Sequence, residues 1–83
     1  MIINEKASVV TVYNHKNNTV LPWKVKWSGR VYTLLSVDFH HLIRDENTLF
    51  HVFGVTDGNI FFRLRFNTET LQWFLEELSS EIL

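Results

Sequence analysis

The chain of 83 residues predicts an α+β domain, with about five antiparallel strands in a curled sheet or partial barrel and one C-terminal amphipathic helix packed on it. Three observations carry that expectation. Ser28-Gly29 and Asp57-Gly58 each separate two β-rich runs, as the tight turns of hairpins do. After Asn67 the apolar residues change to a helical spacing.

The first strand is expected over 8–13, where β-branched and aromatic residues crowd, and a polar loop follows through Asn14, His15, Lys16, Asn17 and Asn18. A second strand runs over 22–27, with Pro22 at its first position, where a missing ladder donor does least harm. A third covers 30–39. A two-residue loop at Ser28-Gly29 pairs Trp27 with Arg30, Val25 with Tyr32 and Trp23 with Leu34 on one face, and sets Lys24 and Lys26 opposite Thr33 and Val31 on the other. Trp27 and Arg30 are expected to stack, indole on guanidinium. In the third strand Tyr32 and Leu34 point one way while Val31, Leu35, Val37 and Phe39 point the other. Both its faces therefore read as partly buried, which curling or dimerisation would explain.

Residues 44–48 make a second loop, and the second hairpin supplies strands four and five. A turn at Asp57-Gly58 pairs Thr56 with Asn59, Val55 with Ile60, Phe53 with Phe62, His51 with Leu64 and Leu49 with Phe66. That face is almost wholly apolar. The opposite face gathers Phe50, Val52, Gly54 and Thr56 with Asn59, Phe61, Arg63 and Arg65. Asn67 or Thr68 then caps a helix reaching Ser80 or beyond, since Leu71, Phe74, Leu75, Leu78 and Ile82 fall on one stripe, flanked by Trp73.

The length fits a single domain over 1–83 with a small core. Seven Phe, three Trp and two Tyr compensate, since each buries a large area and lets so short a chain fold without staples. Cysteine is absent, which excludes disulfides, thiolate metal sites and cysteine nucleophiles. No apolar run approaches a membrane span of roughly 18 residues. The first residues lack the basic then apolar order of a signal peptide, so a cytoplasmic setting is expected. All eight Lys and Arg lie in 1–67 against five acids, while the segment after it holds Glu69, Glu76, Glu77 and Glu81. Ion pairs between those acids and sheet cations, or a basic partner, would balance this dipole.

Lys24, Lys26, Phe61, Arg63 and Arg65 are the candidate binding residues, beside Phe50, because interleaved aromatics and cations stack bases and neutralise phosphates. The near-zero net charge of −1 argues against strong nonspecific binding of nucleic acid. A symmetrical loop sets His40 across from His51 with Asp38 on the same face, a two-histidine, one-carboxylate set. His51 also lies among Leu49, Phe53 and Leu64, so the histidines are read as partly buried, hydrogen-bonded side chains, and no metal or cofactor is expected. His15 reads as exposed. Ser8, Ser28, Ser36, Ser79 and Ser80 show no nucleophile elbow, and no catalytic residue is assigned.

The order Trp27-Ser28-Gly29-Arg30-Val31-Tyr32, then Phe50-His51-Val52-Phe53, Phe62-Arg63-Leu64-Arg65-Phe66-Asn67 and Trp73-Phe74-Leu75-Glu76-Glu77 resembles small uncharacterised bacterial domains. Their pattern is a Trp-x-Gly-Arg-x-Tyr turn, an aromatic hairpin and a closing Trp-x-Leu-x-Glu helix. The resemblance covers about residues 9–78, and this chain has Asn67 where the pattern has an aspartate. Association of some members with DNA-repair polymerases implies a nucleic-acid alternative. The expected function is a non-enzymatic binding or interaction module for an unknown protein partner, acting through the exposed sheet face or the acidic helix, as a monomer or weak dimer. A nucleic-acid-binding accessory domain using the basic-aromatic face is the alternative.

Overall fold

The computed structural model describes residues 1–80 as seven antiparallel strands and no helix. They are β1 (Ile2–Asn14), β2 (Thr19–Trp27), β3 (Arg30–Thr33), β4 (Ser36–Asp45), β5 (Thr48–Thr56), β6 (Ile60–Asn67) and β7 (Trp73–Ser80). Together they make one open sheet in the order β3-β2-β1-β7-β6-β5-β4, so the α+β reading is corrected to all-β.

The first hairpin follows its local chemistry. Ser28 and Gly29 both take positive φ, at 53° and 78°, as a type I′ turn requires, and Trp27 faces Arg30, Val25 faces Tyr32 and Lys24 faces Thr33. The second hairpin turns one residue later than its Asp-Gly pair suggests. The Asp57 carboxylate accepts from Asn59 N at 2.9 Å and Ile60 N at 2.7 Å, which holds Asp57 at the strand end and moves the loop to Gly58-Asn59. Phe53 thus faces Leu64 rather than Phe62, and His51 faces Phe66 rather than Leu64. The displacement is even, so every side chain keeps its expected face.

The predicted third strand is two strands. The chain leaves β2's edge after Thr33, and Leu34 N still donates to Trp23 O at 2.8 Å while Leu35 N donates to Thr56 O at 2.7 Å. Two residues thus carry the chain from one edge of the sheet to the other, and a bulge at Asp38 turns Val37 toward Val55 and Phe39 toward Gly54. Pro22 likewise sits at a bulge, facing Thr11, rather than at a strand's start.

The helix fails at its first turn. Asn67 does cap: its Oδ1 accepts from Glu69 N at 2.8 Å and Thr70 N at 3.1 Å, and Leu71 N reaches Asn67 O at 2.8 Å. Leu71 then adopts φ 63°, in the left-handed region, and Asn67 N donates to Gln72 O at 2.9 Å, closing a hairpin into β7. Leu75 faces Leu64 while Glu77 faces Arg63, so Glu76 is a bulge, and Trp73, Leu75 and Leu78 fall on one face of a strand. That spacing imitates a helical stripe. Burial overrides propensity here, because β7 covers the edge of β6 and joins it to β1. Ile82 and Glu81, the end of the expected helix, lie outside the described residues.

A flat single sheet exposes both faces, yet Val25, Val55, Phe62, Leu64 and Leu75 are fully buried. Curling supplies the second layer. Tyr32 on β3 and Phe62 on β6 stand four strands apart in the sheet, about 19 Å if it were flat, but their ring centroids are 5.0 Å apart. The concave face is the core, where Phe53, Val55, Phe62, Leu64, Trp73 and Leu75 meet Val25 and Leu34.

Candidate binding site

At one end of the concave face the sheet is incomplete. Ala7 opposite Trp73 is the last pair between β1 and β7, and β1 continues to Asn14 with β2 as its partner. The β1–β2 hairpin therefore stands beyond its neighbour and leaves a cleft of about 310 Å³, lined by Thr11, Asn18, Thr19 and Val20 on one side and by His40, His51, Phe53, Phe66 and Trp73 on the other.

Aromatic rings build the second wall as a continuous surface. Phe66 and Trp73 lie 4.8 Å apart, Phe53 and Trp73 5.6 Å, and the His40 ring stacks on Phe53 at 4.2 Å and 9°. Trp73 is therefore a core residue. His40 and His51 are diagonal neighbours on one face, since His40 faces Phe53 and His51 faces Leu42, rather than directly opposed. Their rings nonetheless meet, with His40 Nε2 and His51 Nδ1 2.8 Å apart. One imidazole must donate and the other accept, so the pair cannot carry two charges without breaking that bond. Burial holds His40 below its ordinary pKa, and the neighbouring His51 and His41 push the same way. Among the described residues no Lys, Arg, Asp or Glu lines the cleft.

Asp38 does not join the two histidines, being the exposed residue of the β4 bulge. Among the described residues no three His, Asp or Glu side chains gather as a metal would require. His15 is exposed in the β1–β2 loop.

The basic-aromatic residues lie on the convex face in two groups. Phe61, Arg63 and Arg65 share β6, while Lys24 and Lys26 share β2, and β1 and β7 stand between. Lys6 on β1 faces Phe74 on β7, which faces Arg65, so a basic-aromatic row crosses the sheet. Both arginines are already engaged. Arg63 Nε lies 3.2 Å from Glu76 Oε1 and Arg65 Nη1 3.5 Å from its Oε2, while the Arg65 guanidinium sits between the Phe50 and Phe74 rings at 5.0 and 5.3 Å. Arg63 lies 6.0 Å over Phe39, itself stacked on His41 at 4.8 Å. The expected acidic helix surface is thus a strand whose Glu76 is spent on these cations. Arg30 covers Tyr32 at 5.9 Å instead of Trp27, whose indole donates to Glu5 at 3.0 Å. Thr11, Thr19 and Val20 were illegible as site residues, because only the long-range pairing of β1 with β7 carries the β1–β2 hairpin to the His pair.

No protein-family model, curated protein or solved structure matches this chain. No described helix is long and apolar enough to cross a membrane.

Proposed function

We propose that this chain is a non-catalytic binding module that takes an apolar side chain of a protein partner into the cleft between the β1–β2 hairpin and the His40–His51 pair, in a cytoplasmic setting. The observation that carries the reading is the wall of Phe53, Phe66 and Trp73 left open at one end of the core. Its volume of about 310 Å³ lies at the small end of ligand sites. The lining is mainly apolar with a few neutral polar groups, Thr11, Asn18, Thr19 and the imidazoles. Free metabolites mostly carry phosphate or carboxylate, and among the described residues no Lys or Arg lines this cleft to receive one. A buried ring on a partner surface needs no counter-charge.

Backbone amide shifts followed by NMR during titration with indole test it. Shifts are expected at Thr11, Thr19, His51 and Phe66, and Val20→Trp, at a position 43% exposed, should fill the cleft and abolish them without unfolding the chain. Shifts scattered elsewhere, or unchanged in Val20→Trp, refute the cleft. The nucleic-acid alternative rests on the convex row of Lys24, Lys26, Phe61, Arg63 and Arg65. A short single-stranded oligonucleotide titrated at low and physiological salt reads those residues, and salt-sensitive shifts abolished by Arg63→Glu with Arg65→Glu would put that alternative first.

A further inference from the structure

We infer that a second copy of this chain adds to the outer edge of β4, in an antiparallel pair whose two-fold axis falls on His41. The two edges of the sheet differ greatly: β3 offers four residues, whereas β4 offers ten. Residues 40–45 are all exposed, with Leu42 61% and Ile43 40% accessible, and the strand carries neither proline nor lysine to blunt its free edge. A bulge bends only its beginning, at Asp38.

The register comes from the sequence of β4 itself. Facing residues in antiparallel strands share a side, so in a continuous sheet the axis must fall on a residue. An axis at His40 sets Asp38 against Leu42, and one at Leu42 sets Asp45 against Phe39. An axis at His41 sets Asp38 against Arg44 of the second copy, Phe39 against its Ile43 and His40 against its Leu42, each pair occurring twice. It alone joins opposite charges, and its one charge against an apolar residue, Asp45 on Val37, falls at the end of the strand beyond the Asp38 bulge. Asp38 is also the residue that the bulge leaves without a facing partner on β5.

Sedimentation equilibrium over a concentration series tests the pairing. The parent chain should show a monomer–dimer equilibrium. Asp38→Arg, at an exposed position, should raise the dissociation constant about tenfold by facing Arg44 with a like charge twice. The double variant Asp38→Arg with Arg44→Asp should restore it. A parent that stays monomeric throughout, or a dimer indifferent to Asp38→Arg, overturns the inference. A single variant that weakens the dimer without rescue by the double one overturns it too. None of these outcomes bears on the cleft, whose probe is indole.

Discussion

Gly54 is the position where one methyl group tests the architecture of the convex face. A Cβ built there would lie 2.5 Å from Phe39 Cδ2 and 2.6 Å from its Cζ, far inside van der Waals contact. The Phe39 ring lies flat on the glycine, and nothing larger fits beneath it. Gly54→Ala must therefore lift the ring and forfeit its stack on His41 at 4.8 Å, its contact with Phe61 at 6.1 Å and the Arg63 guanidinium 6.0 Å above it. Overpacking of this kind costs about 1–3 kcal/mol. Loss of glycine's freedom in the unfolded chain offsets about 0.4–1 kcal/mol, so a net destabilisation of about 1–2 kcal/mol is expected. In a chain this short that lowers the Tm by about 5–15 °C. Thermal unfolding followed by circular dichroism reads it, and the double variant with Phe39→Ala should erase most of the added cost, since no ring remains to displace. A Gly54→Ala variant as stable as the parent, or one whose cost persists without Phe39, refutes this packing.

Three further outcomes are expected. Asn67→Ala removes the acceptor of the Glu69 and Thr70 amides and should cost about 1 kcal/mol in urea unfolding, and the far-UV spectrum of parent and variant alike should lack a helical component. Glu76→Gln should cost about 0.5–1.5 kcal/mol, discounted for the partial exposure of Arg63 and Arg65, and the loss should shrink in high salt; a loss indifferent to salt would refute the ion-pair account. His40 is held below 6.5 in the folded chain, so the unfolded chain takes up the proton first. Stability is then full above pH 6.5 and lost as pH falls through the folded value. His40→Phe should flatten that slope, and an imidazole titration of His40 centred above 6.5 would contradict it.

Local chemistry was legible in this sequence and long-range pairing was not. The Ser28-Gly29 turn set its register outright because both residues take positive φ. Asp57-Gly58 located a hairpin but missed its centre, because the Asp57 side chain, not only the glycine, decides where the loop begins. The faces survived that error, which is why Phe61, Arg63 and Arg65 stand together as expected. Lys24 and Lys26 could not be placed against them without knowing that β1 and β7 come between. The meeting of His40 with His51 was legible as a shared face, but the wall opposite them belongs to the β1–β2 hairpin, brought there by strands from opposite ends of the chain.

Glu76 shows how one residue can hide both a strand and the fate of a site. As the inserted residue of the β7 bulge it lengthens the interval between Leu75 and Leu78 from two to three, and that single irregularity turns an inward alternation into an apparent helical stripe. The same insertion lets its two carboxylate oxygens reach Arg63 and Arg65, cations of alternate residues on the neighbouring strand. A helix would have placed Glu76 and Glu77 about 100 degrees apart on its surface. Arg63 and Arg65, two of the four cations that made the convex face look like a phosphate site, thus share one carboxylate supplied by this strand. Once 73–80 is a strand, these convex cations carry this ion pair, while among the described residues no Lys, Arg, Asp or Glu lines the concave cleft proposed as the binding surface.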